Sequence, residues 1–307
     1  MLSMPYRPST KRNCWPHWRN EVVLSTVSTI LANVPRGMPV SELRLLLGEV
    51  LGQPTVWLLT HGEAIVSIEQ CLKLGELVNR RLGGEPMAYL LGYREFYGRK
   101  FTVSPAVLIP RPETELVVDI VKASVGAGAL HGEMSASRSA STPSTLDLGT
   151  GSGCIAISIA LECPRVKVTA VDLSLDALDV ATTNQRKLNA SVELIQSDWF
   201  TALDDRRFDI IVSNPPYVAE GDTHLEQGDL RFEPTQALSS GNDGLTALRK
   251  IISEAPTHLL SKGLLALEHG YDQAVAVREL LITAGFATIT QHKDIAGIIR
   301  VSCGVLP

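Results

Sequence analysis

Surplus positive charge, paired cysteines and long apolar runs are all scarce in this 307-residue chain. Lys and Arg total 28 against 33 Asp and Glu, for a formal net charge of -5. No chain-wide attraction to a phosphate backbone follows, and direct nucleic-acid binding is disfavoured. The five cysteines, Cys14, Cys71, Cys154, Cys163 and Cys303, are odd in number and scattered, with no CxxC pair to clip a metal or run a redox cycle. No metal site is expected, and reduced thiols in a cytoplasmic protein are. No window approaches about eighteen uninterrupted apolar residues. Even Leu259 to Leu267 is broken by Ser261 and Lys262, so no membrane span is expected. Lys11, Arg12 and Arg19 are followed by no apolar run, so a signal peptide is not expected either.

What is present is an ordinary globular balance, 45% hydrophobic and 20% charged, in a length that suits two domains. Residues 20 to 82 read as helices: Ile65, Ile68, Leu72 and Val78 recur at roughly helical spacing, as do residues around Val22 to Val34 and Val40 to Leu51. Gly83, Gly84 and Pro86 punctuate the end of that block. Short apolar pieces then follow, Phe96 to Tyr97, Phe101 to Val103 and Val107 to Ile109, and predict a β-hairpin connector. Pro112 opens a helix whose apolar face includes Leu116, Val117, Ile120 and Val121, and the small-residue stretch Ala123 to Thr145 reads as a loop.

Beyond it, strand-like runs (Thr145 to Leu148, Val166 to Asp172, Val192 to Gln196, Phe208 to Ser213, Gly263 to Glu268) alternate with helical ones. That alternation predicts an α/β fold with a doubly wound, mostly parallel sheet. Ala287 to His292 and Gly297 to Ser302 are too close for a crossover helix and should close the sheet as an antiparallel hairpin. The expected organisation is a helical domain over 1–90, a hairpin connector over 91–111 and the α/β domain over 112–307.

Three strand ends carry chemistry. Leu148 runs into Gly149-Thr150-Gly151-Ser152-Gly153 and then a helix, so the backbone can turn sharply and present free N–H groups to a nucleotide-like cofactor. The next strand ends at Asp172, about twenty residues on, as an acceptor for ribose hydroxyls or as a cap for the helix near Ser174. The third leads into Asp198 and Trp199, which would hold and cover an adenine ring, or else cap the following turn and fill the core.

The strand Phe208 to Ser213 ends in Asn214-Pro215-Pro216-Tyr217. Two prolines fix an extended turn and remove two backbone donors, leaving acceptors. The Asn214 amide oxygen and the Pro215 carbonyl can each take one hydrogen of a planar NH2 group, with Tyr217 as an aromatic wall. Such a nitrogen is a poor nucleophile because its lone pair is delocalised. Two acceptors on its hydrogens return electron density to nitrogen and aim it, without a general base. Neither His nor Lys stands convincingly beside the turn.

These pieces resemble the Rossmann-like methyltransferases, and more narrowly the family that methylates the glutamine amide of peptide chain release factors (PrmC/HemK). Gly84-Glu85-Pro86, Ala88 to Gly92, Pro110 to Glu115, Gln196 to Phe200, Arg231 to Pro234 and Leu267 to Gly270 also match it. The resemblance covers roughly residues 20 to 305. It implies S-adenosylmethionine as cofactor, held by Gly149 to Gly153, Asp172, Trp199 and Asn214, to which the reading of the third strand end adds Asp198. It also implies that the target glutamine, in a Gly-Gly-Gln loop of a class I release factor, is held by Asn214, Pro215, Pro216 and Tyr217. The helical N-terminal domain would help to grip the factor. Glu113, Glu115, Glu233 and His269 are family signposts that read equally as loop anchors. The rival within enzymes is methylation of an adenine or guanine amino group in nucleic acid, which the same turn would suit.

Overall fold

The computed structural model describes residues 25–126 and 142–307, in two units divided between Leu91 and Gly92. Cys14, the basic residues before position 20, the segment from Val22 to Leu24 and most of the small-residue stretch lie outside the described residues.

The first unit opens with β1 (Ser25–Thr26) and α1 (Val27–Ala32), continues through α2 (Val40–Leu51), α3 (Thr55–Thr60) and β2 (Ile65–Val66), and ends with α4 (Ile68–Leu82) and α5 (Met87–Leu91). Thr26 caps α1, and Ser67 and Gln70 form a reciprocal capping box at the start of α4. Its core gathers Val27, Ile30, Leu43, Leu46, Leu74 and Val78 around the helices. The apolar face of α4 differs from the sequence expectation. Leu74, Leu77 and Val78 are buried, whereas Ile65, in β2, and Ile68 and Leu72, in α4, are exposed. Ile65 precedes the Ser67 cap and so stands outside the helical register that begins at Ile68.

In the second unit, β3 (Tyr93–Phe96) and β4 (Arg99–Thr102) form an antiparallel hairpin. Tyr97 and Gly98 form its turn, both at positive φ, as a two-residue hairpin favours. The hairpin therefore starts earlier than its apolar pieces suggested, and Val107 to Ile109 forms no strand. After a short 3-10 turn at Pro112–Thr114 comes α6 (Glu115–Gly126), which takes in Ala123 to Gly126, read from sequence as loop.

Then follow β5 (Ser144–Leu148), α7 (Cys154–Glu162), β6 (Lys167–Asp172), α8 (Leu175–Leu188), β7 (Val192–Gln196) and β8 (Phe208–Ser213). The chain continues with α9 (Thr235–Leu238), α10 (Thr246–His258), β9 (Leu259–Glu268), α11 (Ala274–Thr283), β10 (Ala287–Lys293) and β11 (Ile299–Val305). The seven strands run in the order β10-β11-β9-β8-β5-β6-β7, parallel from β7 to β9 and antiparallel through β11 and β10. This is the doubly wound, mostly parallel sheet with a terminal antiparallel hairpin that the alternation predicted. The last strand begins two residues later than expected because Gly297, at φ 81°, belongs to the turn.

Alternation along the strands sends Ile210 and Val212 into one core layer and Ile211 into the other. From β5 the chain winds outward to β7, then returns to place β8 on the other side of β5. Ligands bind such sheets at the carboxyl ends of the strands where the order reverses, here between β5 and β8. Leu148 stands opposite Ser213 in that pair, so the glycine turn and Asn214 are neighbours by register. No described helix is long and apolar enough to cross a membrane.

Candidate active site

A cleft of about 1040 Å³, its open mouth included, lies at that switch point. Gly149, Thr150, Gly151, Ser152, Asp172, Asp198, Trp199, Asn214 and Pro216 all line it, so most of the residues singled out from sequence converge there. Gly149 and Gly151 sit at φ 67° and 56°, conformations that a side chain resists. A Cβ on Gly149 would lie 3.5 Å from the Trp199 ring. Gly153 has a different place. It caps α7, and a Cβ there would stand 2.9 Å from Ile157 and 3.2 Å from Ala181, so it lets helices close up rather than lining the cleft.

Asp172 accepts from the Gly151 N–H at 2.8 Å and from the Ser174 N–H at 2.9 Å. It thus shapes the glycine turn and the entry to α8 together, and each oxygen keeps a further lone pair for a ligand hydroxyl. Burial raises its pKa, against those backbone donors. Asp198 is half exposed and paired with Lys250 at 3.1 Å. The turn after it is held instead by Ser197, whose Oγ accepts from the Ala202 N–H at 3.0 Å and donates to the Trp199 carbonyl at 2.8 Å. Trp199, at φ 54°, lines the cleft and also packs against the core.

On the NPPY turn, Asn214 Nδ2 donates to Thr114 Oγ at 3.1 Å, while its Oδ1 is buried without a partner. A buried acceptor left bare costs on the order of 1 to 3 kcal/mol, so the cleft wall presents an oxygen ready for a ligand N–H. Pro215 is buried and does not line the cleft. Neither does Tyr217, whose hydroxyl donates to Glu268 at 3.3 Å and whose carbonyl accepts from Gln273 at 2.9 Å. Burial raises the pKa of Tyr217, and Glu268 beside it adds to the shift.

Several supporting residues escaped the sequence reading. Asp147 is buried beneath the glycine turn and accepts from the Thr150 hydroxyl at 2.6 Å; burial pushes its pKa up to about 7. Asn184, fully buried on α8, donates to the Ser152 and Thr102 carbonyls at 2.9 Å each, and its Oδ1 accepts from the Thr102 N–H at 2.7 Å. It ties hairpin to glycine turn, and only a polar residue among the apolar positions of α8 hints at this. Ala106 to Leu108 and Pro110 to Arg111 form another wall. Of the signposts, Glu233 is an anchor: its buried carboxylate pairs with Arg111 and accepts from the Ile109 N–H at 2.9 Å, docking the Pro234 to Ala237 segment on the cleft. His269 is likewise spent inside the fold, on Ser302 at 2.8 Å and the Gly270 carbonyl at 2.9 Å. Glu115 accepts from the Tyr97 N–H at 2.6 Å.

Comparison with known proteins agrees with this picture. Residues 124–281 match the family model described as methyltransferase small domain, and residues 23–92 match that of the PrmC N-terminal domain. The release factor glutamine methyltransferase of Bordetella pertussis is 49% identical over 271 residues, 88% of this chain and 96% of that protein. The same-named protein of Burkholderia pseudomallei is 45% identical over 285 residues, 90% and 96% respectively. Among solved structures, the hMettl16 catalytic domain in complex with MAT2A 3'UTR hairpin 1 superposes with a TM-score of 0.53 at 13% identity, covering 78% of this chain and 83% of that one. That likeness is one of fold.

Proposed function

The chain belongs to the release factor glutamine methyltransferase family, and from that membership we infer an enzyme that moves the methyl group of S-adenosylmethionine to a glutamine side-chain amide of a peptide chain release factor. The target is the glutamine of the Gly-Gly-Gln loop of class I factors. Its flexible glycines let the side chain extend into a narrow site. A partner in translation termination is in keeping with a cytoplasmic location.

The residues present fit the cofactor: a glycine turn at positive φ, a carboxylate at the next strand end and a flat ring against the glycines. Gly149, Thr150, Gly151, Ser152, Asp172, Asp198, Trp199 and Asn214 would hold it, with Gly153 setting the helix behind the turn. When bound, S-adenosylmethionine supplies an electrophilic methyl group on a sulfonium.

The observation that carries the reading is the bare, buried Asn214 Oδ1 in the cleft wall. Asn214 Oδ1 accepts one amide hydrogen, and the carbonyl of the buried Pro215, between the cleft-lining Asn214 and Pro216, is the second acceptor; together they orient the nitrogen and raise its electron density. That sulfonium would give its methyl group to the oriented nitrogen and leave as the thioether, and the surplus proton on nitrogen would pass to water. Pro216 walls the amide, and Tyr217, expected from sequence to do so, braces the turn from behind through Glu268 and Gln273. Residues 1–90 serve substrate recognition, 91–111 connect, and 112–307 carry out transfer.

The test uses a release factor isolated without the modification, methyl-labelled S-adenosylmethionine and peptide mass mapping. One added methyl on the loop glutamine is expected, and none when that glutamine is replaced by glutamate. Label on an adenine or guanine amino group, with none on the glutamine, would overturn the reading in favour of nucleic acid.

A further inference from the structure

The glycine turn, Asp172 and Asp198 follow the carboxyl ends of β5, β6 and β7, and the NPPY turn follows that of β8. A folded protein that sends one loop into the cleft still has to rest its body on the surrounding surface, because a stable protein contact covers about 800 Å² on each partner. On the acceptor side, the edge beyond β8 offers the turn after β9 and the tip of the β10–β11 hairpin. Val301 pairs with Glu268, the last residue of β9, so residues 294–298 project past the end of that strand.

Both segments carry bare apolar side chains. Ile295 is wholly exposed, Tyr271 and Val275 are each 70% exposed, and Ile298 is partly so. Single exposed apolar residues are ordinary, but these four share one edge of the sheet and are held stiffly. Asp294, its side chain almost buried, accepts through Oδ1 from the Ala296 and Ile298 N–H groups at 2.9 Å each, and through Oδ2 from Arg300 Nε at 3.1 Å. Its own N–H donates to the Ile298 carbonyl at 2.8 Å, which closes the turn under Ile295.

His269 ties the two segments together. Its backbone N–H donates to the Arg300 carbonyl at 3.0 Å, and its Nδ1 donates to the Gly270 carbonyl at 2.9 Å. With the ring hydrogen used there, Nε2 accepts from the Ser302 hydroxyl at 2.8 Å. Gln291 Nε2 donates to Ser302 Oγ at 3.1 Å and to the Ala274 carbonyl at 2.7 Å, joining the hairpin to the start of α11. Gln273 reaches the NPPY turn, donating to the Tyr217 carbonyl at 2.9 Å.

We propose that Tyr271, Val275, Ile295 and Ile298 form a preorganised apolar ledge, stitched to the NPPY turn through His269 and Gln273, on which an apolar face of the release factor beside its Gly-Gly-Gln loop docks. The proposal rests on the reading of that factor as the substrate. A stiff anchor loses little freedom on binding, so a few such side chains can dominate the affinity of a larger contact.

The test measures the affinity of the whole protein for an intact, unmethylated release factor by calorimetry with S-adenosylhomocysteine present, together with KM and kcat. Ile295→Asp and Tyr271→Asp should each raise Kd and KM about tenfold or more, with kcat and thermal stability as in the wild type. Ile295→Leu should keep wild-type values. Asp294→Ala, which frees the turn but keeps Ile295, should raise KM about threefold. Wild-type Kd and KM in both aspartate variants overturn the proposal, as does a fall in kcat with Kd unchanged. Should Tyr271→Asp fail to fold, Ile295→Asp decides alone, because that side chain is wholly in solvent. A wild-type dimer in sedimentation that Ile295→Asp dissociates also overturns it, since a second copy would then cover the ledge. A wild-type enzyme that leaves the loop glutamine unmethylated overturns the function and the proposal together, whereas methylation with unchanged Kd and KM in the variants removes the proposal alone.

Discussion

The two units of this chain bury different things. Among the described residues of the first, Ser25 is the one buried polar side chain, and the core is aliphatic. The second buries Asp147, Asn184, Glu233, Glu268 and His269 along with several hydroxyls. Burying a polar group costs free energy unless it is hydrogen-bonded, and burying a charge costs more. Such groups persist where they hold a shape that apolar packing cannot, and all but His269 among those five contact the glycine turn, the NPPY turn or a segment lining the cleft. The first unit has an aliphatic core and keeps its caps and ion pairs outside it, while the second stores polarity around one cleft.

That contrast predicts that removing a polar atom from the second unit hurts chemistry more than fold. Asn214→Ala should cost on the order of a hundredfold or more in single-turnover methylation, with cofactor affinity much less affected. Turnover within about twofold of wild type would erase the distinction. Asp172→Ala should lower cofactor affinity on the order of tenfold by calorimetry. A small drop in thermal stability should accompany it, because its two oxygens also hold Gly151 and Ser174. Unchanged affinity in a folded variant would leave Asp172 as a brace alone.

The opposite pattern is expected in the first unit. Leu74→Ala should lose about 2 to 4 kcal/mol of that unit's stability in denaturant melts, yet leave cofactor affinity unchanged at a permissive temperature. Removing residues 1–91 sharpens the same point. Cofactor binding should survive, while methylation of an intact factor falls; the full rate in the truncated protein would show that the first unit takes no part in recognition.

The smallest effect concerns pH. Asp147 titrates near its ordinary 3.8 when unfolded and at about 7 when buried, so between those values the folded state binds more protons. Its contribution therefore turns unfavourable as pH rises through that window and levels off above it. The stability of the wild type relative to Asp147→Asn should decline from pH 4 to about 7, as chemical denaturation can measure; a parallel pair of curves would mean that the carboxyl is not held in the protonated form.

Much of this was legible beforehand where one local rule governs. The strands Val192 to Gln196 and Phe208 to Ser213 start and stop at the residues their apolar runs marked, and the short gap near the end did mean an antiparallel hairpin. Local rules misled where two elements adjoin. Ile65 belongs to a strand before the Ser67 cap, and Tyr97, which looked like the end of an apolar strand piece, is in the hairpin turn with Gly98. Asp198 and Trp199 were ambiguous from sequence because either use needs the same residue type. In the fold Ser197 does the capping, which leaves Asp198 for Lys250 and the cleft mouth.

The sequence by itself determined the alternation of strands and helices, the glycine turn and the acceptor turn, because each depends on backbone preferences within a few residues. Only the tertiary structure decided that β5 and β8 lie side by side, bringing Gly149 and Asn214 to one cleft from far apart in the chain. It also decided that the Asn214 Nδ2 is tied to Thr114 while its Oδ1 is left bare. That contact reaches a hydroxyl one hundred residues earlier in the chain, buried too deeply for water to substitute.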